Sequence, residues 1–403
     1  MTRFRFKVMV VAAAGILVHL TVNCSALQIP YDMREDLEPR RMTIAMWDYS
    51  WLYGHYPGGP FEDLDKATNE LIERRFNTVR IDAFPLLIAE LDMKGESTYV
   101  HPADPTSNWG PSEVEQEHNV VEELLEFMRI TKRKGIYVIL SSWGQGDRAS
   151  FTEREVFWKA WERVIDLLGG QGLLDHVVYI DLDQEFPYFS PFRQELSRLG
   201  RGGDLVPRGE GRWNVAQMAF VRDYHESTLK HFQKRYPGLR FTFSQSGFWE
   251  EVRSLGIRHF DVLEVHIWMD QTRFNVRTDF DEMTKKRDTS IDYSKYMEQV
   301  RATLKAMRPM LLRNMHSRLA FAKEWAEEIG APLVTTEAYG PYWHMDHPDL
   351  EWDWLYDWCE ECMALTSQYQ FWGSTPWNFC HPFWDNWPNV DWYRKVNGAF
   401  LEN

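Results

Sequence analysis

The chain has 403 residues, 44% of them hydrophobic and 26% charged, which suits one large folded domain and excludes an intrinsically disordered chain. Its formal net charge of −15 argues against nucleic acids and anionic membranes as partners. The 19 Trp residues are unusual, and many stand beside Asp, Asn or His, a mixture that suits the apolar faces and the hydroxyl groups of sugars.

The N-terminal segment has the pattern of a secretory signal peptide. Three basic residues are followed by an apolar run at 8–22 and by small residues: Arg3, Arg5 and Lys7, then Cys24, Ser25 and Ala26. This order predicts a signal peptide over 1–26, a mature domain over 27–403, and secretion to an extracytoplasmic compartment. The apolar run is short for a membrane span, so we expect no stable membrane insertion after cleavage, and a retained N-terminal anchor is the alternative.

The four cysteines allow one disulfide and do not favour a metal site. Removal of Cys24 with the signal peptide leaves Cys359, Cys362 and Cys380, enough for one disulfide and one free thiol. Cys359 and Cys362 form a C-x-x-C pair, but no second ligand pair lies nearby, as a zinc site requires. We therefore expect neither a metal nor a cofactor.

Short apolar runs alternate with helical patterns along the whole chain. This alternation predicts an α/β fold, a single-domain (β/α)8 TIM barrel with elaborated loops on its catalytic face. The eight predicted strands span 42–46, 78–81, 136–140, 177–182, 240–243, 262–265, 333–336 and 371–375.

Helices are predicted between these strands. Two of them open on capping-box patterns, Ser112 to Glu115 and Thr152 to Glu155. The segments 198–211 and 270–294 do not fit the alternation and are predicted to be exposed loops, either over the catalytic face or without a role. The predicted helices span 64–75, 112–134, 152–168, 215–235, 315–329 and 355–367.

The strand ends carry the candidate chemistry, because the active site of a TIM barrel lies at the carboxyl ends of its strands. Two of these residues, Glu185 and Glu337, follow the fourth and seventh strands, and an unpaired pair of buried carboxylates would be costly without a function. Carboxyls about 5–5.5 Å apart suit double displacement at a sugar carbon, whereas about 6.5–9.5 Å suits inversion. The strand-end candidates are Asp48, Asp82, Trp143, Glu185, His266, Glu337 and Trp377.

Two strand-end motifs and the two glutamates resemble clan A of the glycoside hydrolases, in particular the cellulase-like relatives of family 5. The motifs are MWDYSWL at 46–52 and NTVRIDAFP at 77–85. The resemblance covers nearly all of the mature chain. It implies that Glu185 is the acid/base and Glu337 the nucleophile of a retaining enzyme.

The same resemblance implies roles for three further residues. Arg80 stands where the clan keeps an arginine beside the nucleophile, His266 where it keeps a histidine on strand six, and Trp377 where a tryptophan floors the sugar subsite. Gln184 departs from the asparagine that usually precedes the acid/base, which puts the contact with the sugar 2-hydroxyl in doubt. We add four candidates for substrate binding whose alternatives are packing or loop capping: Trp47, Asp48, Asp82 and Trp143.

These residues together predict a retaining β-glycoside hydrolase acting on an oligo- or polysaccharide. The aromatic-rich segments 339–354 and 381–387 are predicted to wall the sugar site. The alternative is a non-catalytic carbohydrate-binding protein on a degenerate barrel. Gln184 favours this alternative, because it departs from the asparagine that usually precedes the acid/base. A Schiff-base aldolase would need a lysine at a strand end, and a metal-dependent isomerase would need more clustered carboxylates and histidines than these ends carry. The sequence leaves open the sugar, its linkage, endo or exo action and the oligomeric state.

Overall fold

The computed structural model describes residues 37–105, 112–200, 203, 205, 212–269, 274, 292–341, 344, 346–378 and 380–402. The predicted signal peptide lies outside the described residues, as does most of each predicted loop at 198–211 and 270–294. None of the described helices is long and apolar enough to cross a membrane.

Eight parallel strands form a barrel, which confirms the predicted fold. Their order in the sheet is β7-β6-β5-β2-β1-β10-β9-β8. The ring closes between β7 and β8, where the backbone N–H of Gln245 donates to Glu264 O (3.0 Å) and that of His266 donates to Gln245 O (2.9 Å). The barrel strands are β1 (Met42–Asp48), β2 (Thr78–Asp82), β5 (Tyr137–Ser141), β6 (Val177–Asp181), β7 (Phe241–Thr242), β8 (Leu263–Glu264), β9 (Leu333–Thr335) and β10 (Gly373–Ser374). Two further strands, β3 (Tyr99–His101) and β4 (Gln116–His118), pair only with each other.

Helices follow the barrel strands and cover the outside of the sheet. The described part of the chain contains α1 (Ser50–Tyr53), α2 (Leu64–Glu73), α3 (Pro85–Lys94), α4 (Val120–Lys134), α5 (Arg154–Gly170), α6 (Arg193–Leu199), α7 (Val215–Arg235), α8 (Trp249–Ser254), α9 (Tyr293–Ile329), α10 (Asp353–Gln368) and α11 (Val390–Glu402). The sequence analysis missed α1, α3, α6, α8 and α11.

Both predicted capping boxes are wrong. Strands β3 and β4 pair as an antiparallel hairpin outside the barrel, so the backbone after Ser112 is committed to a sheet and α4 begins only after Asn119. The Asn119 side chain accepts the N–H of Glu122 (3.3 Å). At the second predicted box, Thr152 to Glu155, Thr152 is the residue that follows a 3₁₀ turn, Arg148–Phe151. Helix α5 begins after Glu153, whose side chain makes no capping hydrogen bond.

Helix α9 begins 22 residues before the predicted start at 315. The Asp292 side chain caps it by accepting the N–H of Lys295 (2.9 Å), and the helix continues through Pro309. An internal proline removes one backbone bond and argues against a continuous helix. Burial of one face, including Val300 and Leu311, stabilises it instead.

Apolar side chains fill the amino-terminal half of the barrel. This inner cluster is separate from the larger core between sheet and helices, and it closes the bottom of the barrel, so the polar interior lies toward the strand carboxyl ends. Its members are Met42, Ile44, Ile139, Val178, Tyr179, Val262, Val334 and Trp372. The disulfide that the sequence allowed does not form, because Cys359, Cys362 and Cys380 are free thiols buried in the core.

Candidate active site

Glu185 and Glu337 face each other across the top of the barrel, just beyond β6 and β9. One oxygen of each carboxyl and one ring nitrogen of His266 lie within 4.8 Å of one another. The Glu185 backbone has φ +49°, a conformation costly for a non-glycine residue, and its N–H donates to Ser244 Oγ (2.8 Å). The fold thus holds the Glu185 side chain at the mouth of the barrel, where it is 13% exposed.

The Glu337 carboxyl is surrounded by donors. Its Oε1 accepts from Arg80 Nη2 (2.6 Å) and from Gln184 Nε2 (2.8 Å), and its Oε2 lies 3.3 Å from His266 Nδ1. The Glu337 side chain is only 2% exposed. These contacts fix the carboxyl in one orientation and stabilise its charged form.

Arg80 is held in place from below by Asp48. Its Nε donates to Asp48 Oδ1 (2.8 Å) and its Nη2 to Oδ2 (3.0 Å), a two-bond pairing with both side chains fully buried. Paired geometry of this kind restricts a guanidinium to one plane. The structure therefore places Asp48 beneath Arg80 as the residue that orients it, and not on a surface open to substrate.

His266 lies between carboxylates on both sides of its ring. Nδ1 is 2.8 Å from Glu185 Oε1, and Nε2 is 3.6 Å from Glu264 Oε1. Burial lowers the pKa of His266, but the charge of Glu337 and the contacts with Glu185 and Glu264 outweigh it and raise the pKa to about 10. The imidazole is therefore positively charged at neutral pH.

The two glutamates have opposite pKa shifts. Burial raises the pKa of Glu337 to about 7, and the neighbouring charge of Glu185 adds to the effect. Burial also raises the pKa of Glu185, but the hydrogen bond from His266 and its charge outweigh burial and bring this pKa below its ordinary value. In the unliganded site Glu185 is thus the more acidic of the two, and the nearest proton to it lies on His266.

Four predicted substrate contacts lie outside this cluster. Asp82 accepts hydrogen bonds from the backbone N–H groups of Phe84 (2.6 Å) and Trp143 (2.8 Å), so it connects the segments that follow β2 and β5. Burial raises the pKa of Asp82 to about 7. Trp47 is fully buried and its Nε1 donates to Cys380 O (2.9 Å), so its ring offers no face to a sugar. Trp143 and Trp377 are 8% and 1% exposed.

Three residues of the site were not predicted: Ser244, Glu264 and Thr336. Glu264 is the last residue of β8 and lies two residues before His266, and side chains two apart in an extended chain point to the same side. That spacing was the available signal, but the sequence analysis considered only residues at the strand ends. Thr336 immediately precedes Glu337 and donates to Glu264.

Glu185, His266 and Glu337 also have the ligand types and spacing that could hold a metal ion. The guanidinium of Arg80 already lies 2.6 Å from Glu337 Oε1. A cation beside that oxygen would meet this positive charge at close range. The donor set fits an ion-pair cluster better than a metal centre.

A family model described as "Sugar-binding cellulase-like" matches residues 44–400. The chain belongs to this cellulase-like family. The match includes the carboxyl ends of all eight barrel strands and confirms the predicted relation to cellulase-like glycoside hydrolases. No curated protein matches the sequence.

Solved structures agree with the family assignment. A putative glycoside hydrolase from Parabacteroides distasonis is similar with a TM-score of 0.76 and 26% identity, over 89% of this chain and 93% of that one. An endo-β-1,4-mannanase from Thermotoga petrophila is similar with a TM-score of 0.51 and 12% identity, over 90% of this chain and 77% of that one. At that identity the second likeness shows the fold alone. The cellulase-like barrel is thus a glycoside hydrolase fold with two glutamates at the carboxyl ends of its strands.

Proposed function

We propose that this cellulase-like protein is a retaining β-glycoside hydrolase that acts on an oligo- or polysaccharide outside the cytoplasm. Glu337 is the nucleophile and Glu185 the acid/base. The observation that carries the proposal is that one oxygen of Glu185 lies within 4.8 Å of one oxygen of Glu337. This approach fits the separation of about 5–5.5 Å for double displacement better than the 6.5–9.5 Å or so that seats a water for inversion. The signal-peptide pattern at 1–26 supports the compartment.

In the proposed first step the Glu337 carboxylate attacks the anomeric carbon while Glu185 protonates the departing glycosidic oxygen. Arg80 and Gln184 both donate to Glu337 Oε1, which leaves Oε2 as the oxygen that attacks. In the second step Glu185 takes a proton from water, and the water oxygen displaces Glu337 from the sugar. Each carboxyl thus serves twice, and the anomeric configuration is retained.

Gln184 supports a sugar contact despite departing from the expected asparagine. Its Nε2 is used by Glu337, but its buried Oε1 has no hydrogen-bond partner among the described residues. An unpaired buried acceptor is costly, and a sugar hydroxyl group beside the nucleophile would satisfy it. We therefore assign Gln184 Oε1 to a hydroxyl of the substrate.

The decisive experiment is Glu337→Ala assayed on activated aryl β-glycosides. We expect kcat to fall about a thousandfold or more, and added azide to restore turnover by occupying the space of the lost carboxylate. Glu250→Ala removes an exposed glutamate, 59% exposed, and is expected to keep wild-type activity.

Proton NMR of the first-formed wild-type product determines its anomer. An inverted anomer would contradict double displacement. If the wild type turned over no member of a broad aryl-glycoside and oligosaccharide panel yet bound sugars, the non-catalytic alternative would replace the proposal.

A further inference from the structure

Glu264 is a buried carboxylate that the double-displacement steps do not use. It lies on β8 inside the barrel with no exposed surface. Its Oε1 accepts from Thr336 Oγ1 and lies 3.4 Å from Arg80 Nη1 and 3.6 Å from His266 Nε2. Burying such a charge without a function is costly, even with partners.

The position of Glu264 relative to the imidazole is specific. His266 Nδ1 faces the two site carboxyls, Glu185 and Glu337, whereas Nε2 faces Glu264 on the other side of the ring. Arg80 Nη1 also lies 3.4 Å from Nε2. Because a guanidinium can only donate, Arg80 by itself would favour an unprotonated Nε2. Two oxygens oppose that preference, Glu264 Oε1 and Thr336 Oγ1 (3.4 Å from Nε2), and of the two only Glu264 carries a negative charge.

Other charged groups around this cluster leave Glu264 as the ionised partner. Asp48 pairs with Arg80, and Asp181 and Tyr179 on β6 are close enough to Glu264 to interact with its charge. Burial, and then the charge of Glu264, raises the pKa of Asp181 well above its ordinary value, which favours the neutral form of Asp181 over that of Glu264. Burial also raises the pKa of Glu264, but His266 and Arg80 outweigh it and the net shift is downward.

We propose that Glu264 is a positioning residue that keeps a proton on Nε2 of His266, so that the proton on Nδ1 is the mobile one shared with Glu185. This role rests on the proposed function for its catalytic meaning, but the protonation of His266 does not. Transfer breaks the Nδ1–H bond and forms an O–H bond on Glu185 Oε1, 2.8 Å away. The ring is left neutral with its proton on Nε2, and Glu185 is left as a neutral carboxylic acid that carries the proton for the leaving group.

This arrangement accounts for the resting state of the site. Glu185 has the lowered pKa, although an acid catalyst needs a proton, and His266 has a pKa of about 10. A sugar that displaces water from the mouth would make charge separation between Glu185 and His266 more costly. Substrate binding would therefore drive the proton from His266 to Glu185.

The test is NMR of the histidine ring nitrogens in the full chain labelled with ¹⁵N-histidine, with the His266 signals assigned by His266→Asn. We expect both ring nitrogens of wild-type His266 to stay protonated between about pH 5 and 8. In Glu264→Gln, removal of one neighbouring carboxylate lowers the pKa of His266 from about 10 by about 1–3 pH units. We therefore expect Nε2 of the variant to lose its proton as the pH rises through about 7–9, at lower pH than in the wild type. Glu123→Gln is the matched control, since Glu123 contacts His55 and His118 outside the site and its loss leaves His266 unchanged.

A kinetic readout separates positioning from structure. On an activated aryl β-glycoside, Glu264→Gln is expected to move the alkaline limb of kcat to lower pH while KM changes little. An Nε2 that is unprotonated in the wild type, or His266 signals that do not respond to Glu264→Gln, would overturn the proposal. The wild-type spectrum decides the first point even if the variant does not fold, and absence of glycosidase turnover would refute the proposed function without altering the NMR result.

Discussion

Arg80 illustrates how single residues are tied together in this site. Its buried guanidinium contacts three carboxylates, Asp48, Glu264 and Glu337, at 2.8, 3.4 and 2.6 Å. Such a cluster rarely adds stability compared with apolar residues of the same shape, but it fixes directions that apolar packing cannot. We infer that the buried Arg80 is retained because it orients Glu337, the proposed nucleophile.

A buried histidine outside the site makes a second residue-scale point. His225 lies among Phe186, Tyr224, Phe243 and Phe260, with no hydrogen-bond partner for either ring nitrogen among the described residues. Burial lowers its pKa from the ordinary value of 6.5 to about 3. The imidazole is thus neutral in the fold and must remain so for the core to stay closed.

This predicts an acid-dependent loss of stability. Between about pH 6.5 and 3 the unfolded chain binds one more proton than the fold at His225, so the contribution of this residue is complete above pH 6.5 and falls with decreasing pH. The slope is about 1.4 kcal/mol per pH unit. His225→Leu should remove one proton from the pH dependence of the free energy of unfolding measured in urea, whereas Phe260→Leu should lower stability equally at each pH. An unchanged slope in His225→Leu would contradict the assignment.

At the scale of elements, local signals located the helices better than they located their ends. Helix α7 runs over the predicted 215–235, with Asn214 and Gln217 forming a reciprocal capping box. The pattern at Ser112 looked the same in sequence, but there the hairpin of β3 and β4 takes the backbone groups. A capping pattern works only where no strand competes for the same backbone N–H and C=O groups.

The start of α4 gives the element-scale prediction. Asn119→Ala removes the acceptor for the Glu122 N–H and should lower the free energy of unfolding by about 0.5–2 kcal/mol. Glu115→Ala alters the residue that the predicted capping box would have needed, yet it is exposed and lies in the hairpin region, so its effect should stay within about 0.5 kcal/mol. Urea unfolding of both variants measures these losses in the free energy of unfolding. A larger loss in Glu115→Ala than in Asn119→Ala would support the predicted capping box at Ser112 instead.

At the scale of the whole molecule, the mouth of the barrel is built from distant segments that touch at one glycine. The backbone oxygen of Gly340, beyond β9, accepts the N–H of Met269, beyond β8 (3.1 Å). A Cβ on Gly340 would lie 1.7 Å from the Trp377 ring and 2.9 Å from Leu355 on α10. Only a hydrogen fits there, because three parts of the fold converge on this position.

Gly340→Ala should therefore displace Trp377. We expect a loss of about 1–3 kcal/mol in the free energy of unfolding from overpacking. We also expect a fall in kcat/KM on aryl β-glycosides, since the resemblance to clan A implies that the Trp377 ring lies beneath the sugar subsite. Gly238→Ala is the control, because nothing lies within 4 Å of a Cβ there, and it should leave both quantities unchanged. Intrinsic Trp fluorescence reports the displacement, and wild-type kinetics in Gly340→Ala would argue against Trp377 as a substrate contact.

The sequence by itself determined the eight strands and the presence of one glutamate beyond each of two of them. Both are local properties, because a short apolar run followed by a polar residue predicts a strand and the residue at its end. Parallel β/α units then bring the carboxyl ends of all strands to one face of the barrel. Only the tertiary structure decided which neighbours each side chain has. In the structure Trp47 donates to the backbone oxygen of Cys380, and Asp82 accepts from two backbone N–H groups. Glu264 faces the Nε2 side of the His266 ring. Those contacts join residues up to 333 positions apart in the chain, as Trp47 and Cys380 are, and no local pattern carries the register between such distant segments.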